Sequence, residues 1–197
     1  MINVAVIYYS ATGSVHELAV AAAATAEQAG ATVRLRRVAE LAPAPLIASD
    51  PAWAAHAAAT ADLPVATLAD LEWADAVLLG TPTLFGQPAA QIRQFIDTTG
   101  RICCRGKVVS SFVCATGPCG GHERGLPALD NAFQHWGAVI VPARRSELAG
   151  SADEFEDGTD GVEPVHAELE AITAVQTQTR RVLEVAGALG LVVRAAA

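Results

Sequence analysis

A short loop near the start of the chain carries residue types that could bind an anion. It follows the apolar run Val4–Tyr9 and precedes a helical pattern. Three hydroxyl groups and a glycine fall within five positions of this loop, which consists of Ser10, Ala11, Thr12, Gly13, Ser14 and Val15. Hydroxyls and free amides at a helix N-terminus suit a phosphate group, because the helix dipole favours negative charge there. The alternative is that these side chains only cap the helix.

The same loop excludes two common nucleotide-binding patterns. It lacks the lysine that follows the second glycine of a Walker loop, and it lacks the GxGxxG fingerprint of dinucleotide-binding folds. The sequence therefore predicts a phosphate held by backbone amides and hydroxyls rather than by a basic side chain.

Two further loops combine unusual backbone with small side chains. The first, Thr81–Gly86, contains a proline and a glycine around Phe85, and the alternative for it is an ordinary turn with Phe85 in the core. The second is rich in glycine and consists of Ala115, Thr116, Gly117, Pro118, Cys119, Gly120 and Gly121. Backbone this bare lets a flat group approach closely. Together the three loops predict a phosphate on the first loop and a planar ring between the other two.

Alternating strands and helices would position these loops. Apolar runs predict buried strands, and an alternating pattern predicts one edge strand; these are Val4–Tyr9, Asp75–Gly80, Lys107–Ala115, Ala138–Val141 and, at the edge, Thr32–Val38. This order predicts an α/β fold with an open, doubly wound, five-stranded parallel sheet and helices on both faces. Ligands bind beyond the carboxyl ends of the strands in such sheets, so the three loops should share one edge.

The remaining segments complete one domain spanning residues 1–197. A helix is expected to begin at Pro88 and to end at Gly100, and another spans Glu123–Trp136. A long helix begins at Pro164, with Leu169 in its apolar stripe. The Pro- and Ala-rich segment Ala39–Pro64 has no clean period, which indicates a surface excursion with a turn or two of helix.

Composition excludes several classes of function. The 197 residues carry a formal net charge of −8, and Lys107 is the only lysine, so duplex nucleic acid is not an expected partner. No apolar run reaches 18 residues and no basic leader begins the chain, so we expect a cytoplasmic protein with no membrane partner. Histidines and cysteines lack metal-ligand spacing, so no metal site is predicted; a redox role for Cys103, Cys104 or Cys119 stays open.

These motifs resemble the flavodoxin-like superfamily, and within it most closely the WrbA-type NAD(P)H:quinone oxidoreductases. The resemblance rests on Tyr8–Ser10 before the first loop and on Gly80–Gly86, which is similar to the family's GTPTRFG segment. Asp97–Gly100, Thr116–Gly121 and Val139–Pro142 follow in the family's order. The resemblance covers most of the chain.

The resemblance implies bound FMN, with NADH or NADPH as electron donor and a quinone or related small molecule as acceptor. Hydride would pass from the nicotinamide to the flavin and onward to the quinone, a two-electron transfer in which the cofactor supplies the chemistry. No general base is needed, so no catalytic side chain is assigned. Ser10–Val15 would hold the phosphate, and the ribityl chain and ring would contact Pro82, Thr83, Leu84, Phe85 and Gly86 on one side and Ala115–Gly121 on the other.

Several positions depart from the family pattern. Thr12 replaces an aromatic residue, and Val15 stands where flavodoxins have a hydroxyl. His135 and Trp136 replace a histidine pair, which makes them candidates for the substrate pocket; the alternative for Trp136 is a core residue at a helix end. The family forms tetramers, so a homo-oligomer, either a dimer or a tetramer, is also implied.

Two alternative functions remain open. The chain could be a flavodoxin-like one-electron carrier, or a flavin-binding interaction protein with weak turnover. A carrier steered by charge is expected to surround its flavin loops with acids. The predicted flavin loops carry almost no acidic residues. The acidity of the chain is concentrated elsewhere, because the eight acids of Asp153–Glu170 account for the whole net charge of −8. This distribution favours the enzyme.

Overall fold

The computed structural model describes residues 1–84, 86–99, 104–115, 122–142 and 164–195, and strands and helices alternate through them. The strands are β1 (Asn3–Tyr8), β2 (Thr32–Arg37), β3 (Ala76–Leu84), β4 (Gln87–Pro88), β5 (Val108–Ala115) and β6 (Val139–Ile140). The helices are α1 (Ser14–Gln28), α2 (Ala44–Ala48), α3 (Pro51–Ala59), α4 (Leu68–Trp73), α5 (Ala90–Thr99), α6 (His122–His135) and α7 (Pro164–Ala195).

Five strands form a parallel sheet in the order β2-β1-β3-β5-β6, and β4 pairs with β3 in the antiparallel direction. In the centre, Val6 of β1 lies opposite Leu35 on one side and Leu78 on the other. The chain first winds from β1 to β2, and then crosses back to place β3 on the other side of β1. The predicted α/β fold with an open five-stranded sheet is confirmed, with β2 at one edge.

Successive side chains of β1 contribute to two separate cores. Val4 and Val6 point to the layer formed by α1 and α7. Ala5 and Ile7 point to the opposite layer, where they join apolar residues of α5 and α6. Because helices cover both faces of the sheet, this strand is apolar and buried from Val4 to Tyr8, which is typical of a central parallel strand.

A buried polar link fastens α7 to β5. The Gln178 side chain is 2% exposed, and its Nε2 donates to the carbonyl oxygen of Ser111 at 2.8 Å. Although α7 is 32 residues long, no helix in the described ranges combines the length and the hydrophobicity needed to cross a membrane.

The single lysine closes the C-terminal end of α4. Lys107 Nζ donates to the carbonyl oxygens of Glu72 at 2.9 Å and Ala74 at 2.5 Å. A cation in this position satisfies carbonyls that have no partner within the helix and complements the negative end of its dipole. The backbone of Lys107 is also held, because Val139 N donates to its carbonyl oxygen at 2.9 Å.

Four local expectations from the sequence are corrected by the structure. The excursion after β2 contains two helices, α2 and α3, rather than a turn or two. Strand β3 continues to Leu84, because β5 pairs with it as far as Thr83 and β4 folds back on its end. Pro88 therefore lies in β4, and the next helix begins at Ala90. Leu169 is 57% exposed and does not belong to the buried stripe of α7.

Candidate functional site

A cavity of about 280 Å³ opens at the carboxyl edge of the sheet, between the ends of β1 and β3. This is the position at which the strand order reverses, where open α/β sheets bind their ligands. Its volume lies near the lower end of the range for small-molecule sites, about 300–1,000 Å³. The cavity is lined by Tyr9, Ser10, Ala11, Thr12, Ser14, Val15, Trp53, Pro82, Thr83, Ala89, Gln91 and Cys114.

The first wall of the cavity is the loop between β1 and α1. Gly13 precedes α1 with a φ of 113°, a left-handed conformation that suits glycine, and no side chain caps this helix. Ser10 Oγ accepts a hydrogen bond from Gly13 N at 3.1 Å, which closes the loop on itself. The absence of a side-chain cap among the described residues weakens the capping alternative and leaves the positive end of α1 facing the cavity.

The second wall is the end of β3. Thr81 Oγ1 donates to the carbonyl oxygen of Pro82 at 2.9 Å and accepts from Ala89 N at 3.0 Å. These bonds hold the backbone at Pro82 and at Ala89, two residues that line the cavity. Farther along, Thr83 packs against Gly125 so closely that a Cβ at Gly125 would lie 2.3 Å from the Thr83 methyl carbon. Helix α6 therefore sits directly on this wall, and its glycine permits that approach.

The third wall is held by Glu40, which follows β2. Glu40 Oε2 accepts from Tyr9 OH at 2.9 Å and from Trp53 Nε1 at 3.2 Å. Glu40 Oε1 accepts from Gln91 Nε2 at 2.6 Å and from the backbone amides of Leu41–Ala42 at 2.7 and 2.9 Å. Burial raises the pKa of this carboxyl, but the hydrogen bonds outweigh burial and hold the pKa below its usual value. One ionised carboxylate thus joins three lining residues from three elements.

Two histidines lie behind the loop that precedes α1. Tyr8 OH and His16 Nδ1 are 2.6 Å apart, and the ring centroids of His16 and His56 are 5.3 Å apart. A Cβ on Gly13 would lie 3.6 Å from His56 Nδ1, so this imidazole occupies the side of Gly13 to which a side chain would point. Burial lowers the pKa of His16 and of His56, and the neighbouring His16 lowers that of His56 further. No group of three His, Cys, Asp or Glu residues suited to a metal ion occurs in the described ranges.

The structure brings seven of the residues predicted from the sequence to this cavity. The residues of both predicted loops that line it are Ser10, Ala11, Thr12, Ser14, Val15, Pro82 and Thr83. Gly13 lies within the first loop, Gly86 follows β3 with a φ of 72°, and Leu84 and Ala115 end their strands. Phe85 and the segment 116–121, from Thr116 to Gly121, are outside the described residues, and so are the cysteines at 103 and 119.

His135 and Trp136 are not brought to this cavity. His135 ends α6, which runs back from the carboxyl edge, and Trp136 follows it; the carbonyl oxygen of Trp136 accepts from the backbone amide of Cys104 ahead of β5. The indole Nε1 donates to Thr99 Oγ1 at 3.0 Å, and the ring packs against Phe133. The substrate-pocket role stays a prediction for both residues: the turn lies at the amino edge of the sheet, away from this cavity, and Trp136 is buried in the core.

Several lining residues were not identified as site residues from the sequence. Trp53 and Gln91 come from helices, and Cys114 lies one residue before the end of β5. The sequence of α3 contained one indication of a site: Trp53 and His56 stand three positions apart and so share one face of the helix. Glu40 offered no local signal at all.

Comparisons with known proteins agree with this geometry. The model of the family described as NADPH-dependent FMN reductase matches residues 2–151. The chain is 41% identical over 145 residues to the NAD(P)H dehydrogenase (quinone) of Deinococcus radiodurans, which covers 72% of each protein. A relative of the same description from Methylocella silvestris is 35% identical over 205 residues and covers 96% of this chain and 99% of its own.

A solved structure shares the fold. The flavodoxin, WrbA-like protein from Agrobacterium tumefaciens superposes with a TM-score of 0.59 at 23% identity, covering 94% of this chain and 98% of that one. A flavodoxin of Streptococcus pneumoniae superposes with a TM-score of 0.58 at 12% identity, covering 92% and 98%. At these identities the likeness shows the architecture alone.

Proposed function

Since the chain belongs to the NADPH-dependent FMN reductase family, we propose that it is an FMN-dependent NAD(P)H:quinone oxidoreductase. The observation that carries this proposal is the full-length similarity to an NAD(P)H dehydrogenase (quinone), with 96% of this chain aligned. The cavity supports it, because it lies at the switch point of the sheet and is lined by small, hydroxyl and aromatic residues.

The described residues support FMN as the ligand of this cavity. The phosphate suits the start of α1, where backbone amides and the hydroxyls of Ser10, Thr12 and Ser14 surround a positive dipole end. The ribityl chain and ring suit the end of β3 at Pro82 and Thr83. When bound, FMN accepts a hydride from NADH or NADPH and passes two electrons to a quinone or related small molecule.

The protein's own contribution is to hold the walls in place. Glu40 fixes Tyr9, Trp53 and Gln91 relative to one another, so the third wall does not need to be organised when a ligand arrives. None of the described lining residues is acidic, which supports an enzyme for small molecules over a carrier steered to a protein partner by charge.

Purified protein tests the proposal directly. We expect flavin absorbance near 450 nm, or quenching of FMN fluorescence on titration, and oxidation of NADH or NADPH at 340 nm that depends on added benzoquinone. A protein that binds no FMN, or that binds FMN and oxidises neither nucleotide with benzoquinone, would contradict it.

A matched pair of variants tests the phosphate position. Ser14→Asp places a carboxylate at the start of α1, where it favours the helix but repels a phosphate, so FMN binding should weaken by at least about tenfold. Thr173→Asp adds the same charge to an exposed position of α7 and should leave FMN binding unchanged. If the two variants changed FMN affinity equally, the assignment of the phosphate to this loop would be wrong.

The assembly and location of the protein are part of the proposal. We take residues 1–197 as one FMN-binding domain, and the protein as a cytoplasmic homo-oligomer, a dimer or a tetramer. Light scattering on the purified protein tests the oligomer, and a mass of one chain at micromolar concentration would exclude it.

A further inference from the structure

The proposed phosphate site lacks a cationic side chain of the ordinary kind. Above neutral pH the phosphate of FMN carries close to two negative charges, whereas the end of a helix supplies only about half a positive charge. None of the described residues that line the cavity is Lys or Arg. The described part of the site is therefore short of positive charge. A titratable side chain close to the loop could supply it by taking up a proton.

His56 is the titratable side chain that lies against this loop. A Cβ on Gly13 would be 3.6 Å from His56 Nδ1, and Gly13 is the residue that immediately precedes α1. His56 stands on α3 one turn after Trp53, which lines the cavity, so the two side chains share one face of this helix, although His56 itself is not among the lining residues. An anion at the start of α1 would be among the closest charges to this imidazole.

The surroundings of His56 keep it neutral while no anion is present. His16 of α1 faces it with ring centroids 5.3 Å apart, and two positive charges at that distance would repel each other. His16 is engaged on its other side by Tyr8 OH at 2.6 Å, with the Glu17 carboxylate as the nearest acid acting on it. The Arg37 guanidinium acts on Tyr8 from the end of β2. Among the described residues, no carboxylate pairs with His56.

We propose that His56 is the proton-dependent counter-charge of the phosphate site: it takes up one proton from solvent when the FMN phosphate binds beside Gly13. Burial, with a smaller effect of the neighbouring His16, favours the uncharged imidazole until the anion arrives. This inference rests on the proposed function, since it assigns the phosphate of FMN to this loop.

The proposal fixes the sign of a pH dependence. Burial and His16 lower the pKa of free His56, so it is neutral at pH 7–9, and a phosphate dianion raises that pKa in the complex. A monoester phosphate is already a dianion in this range, because its second pKa is about 6. The imidazole is then the group that gains a proton, so FMN affinity should fall by up to about tenfold per pH unit as the pH rises.

Calorimetry in two buffers measures the proton directly. FMN is titrated at pH 7.5 in buffers of low and high ionisation enthalpy, and the difference in observed enthalpy gives the number of protons taken up. We expect a value between about one half and one for the unaltered protein, and close to zero for His56→Gln. Riboflavin, which has the same ring without the phosphate, should bind without proton uptake.

Two controls separate this role from a general effect of removing a histidine. His135→Gln makes the same change on an exposed residue at the amino edge of the sheet and should retain both FMN affinity and proton uptake. His56→Gln should weaken FMN binding by about tenfold at pH 7 and leave riboflavin binding unchanged, with an unaltered circular dichroism spectrum.

The possible outcomes distinguish this inference from the proposed function. FMN binding with no proton uptake, or with uptake that persists in His56→Gln, overturns the inference and leaves the oxidoreductase standing. Absence of any FMN binding overturns both. If His56→Gln fails to fold, imidazole signals of the unaltered protein decide by NMR: the His56 pKa must rise on addition of FMN, and an unchanged pKa overturns the inference.

Discussion

Replacing Glu40 by glutamine should destabilise the protein through a mismatch of donors. All five groups that face the carboxylate are donors, two on Oε2 and three on Oε1. The amide of Glu40→Gln must point its NH₂ group at one of these sets. Trp53 Nε1 cannot reverse its role on the first side, and neither can the backbone amides on the second.

The magnitude follows from the number of hydrogen bonds that are lost or weakened. Hydrogen bonds to charged groups contribute about 1.5–3 kcal/mol each and neutral ones about 0.5–1.5 kcal/mol. Glu40 is half-buried, so water replaces part of each loss. We expect a decrease of about 2–3 kcal/mol in the free energy of unfolding at pH 7, equivalent to roughly 5–10 °C in Tm for a chain of this size.

Urea unfolding followed by circular dichroism measures this decrease, with Glu184→Gln on the exposed face of α7 as the matched control. Because folding lowers the pKa of Glu40 below its ordinary 4.5, the carboxylate contributes fully above that value. The contribution disappears as the pH falls through the folded-state pKa, so the two proteins should converge in stability there. A difference at pH 7 no larger than that of the control, or one that does not shrink as the pH falls below 4.5, would refute the reasoning.

Two further substitutions test the packing around the site. Gly80→Ala places a methyl group 2.4 Å from the buried ring of Phe112, so unfolding free energy should fall by about 1–3 kcal/mol, and an unchanged urea midpoint would contradict this. Asp70→Asn weakens ion pairs with Arg34 and Arg36 at 3.1 and 3.0 Å. Burial raises the pKa of Asp70, but its hydrogen bonds and Arg36 outweigh burial, and the net pKa lies below 3.8. The carboxylate therefore stabilises the fold above pH 3.8, and this contribution is lost as the pH falls through the folded-state pKa. The variant should therefore be less stable at pH 7 by about 1–3 kcal/mol and should approach the parent as the pH falls below 3.8; equal thermal midpoints at pH 7 would contradict it.

The parts of the fold that were predictable are those with a local cause. The apolar run Val4–Tyr8 of β1 reflects a strand that is covered on both faces, and the alternation in β2 reflects its place at the edge of the sheet; both patterns are present within six residues. The loop at Ser10–Ser14 was predictable for the same reason, since its hydroxyls and glycine are adjacent in the chain.

The parts that were not predictable depend on contacts between distant segments. Gln91 meets Glu40 across 51 positions of sequence, and no pattern around either residue indicates it. Helix α3 has no fully buried residue, so it leaves no amphipathic period to detect. The extension of β3 through Thr83 depends on pairing with β5 and β4. The sequence placed His135 and Trp136 at the end of a helix. The edge of the sheet at which they lie depends on the direction of that helix, which the local pattern does not contain.

The position of the single lysine allows local opening of the sheet to be measured by proteolysis. A protease specific for lysine has one cleavage site in these 197 residues, after Lys107. The carbonyl of that peptide bond accepts from Val139, and the side chain is held by two carbonyls at the end of α4. Cleavage therefore requires β6 and α4 to separate from β5, and a single cut converts one band into two. The rate of that cut under native conditions measures how often this side of the sheet opens, without any label or substitution.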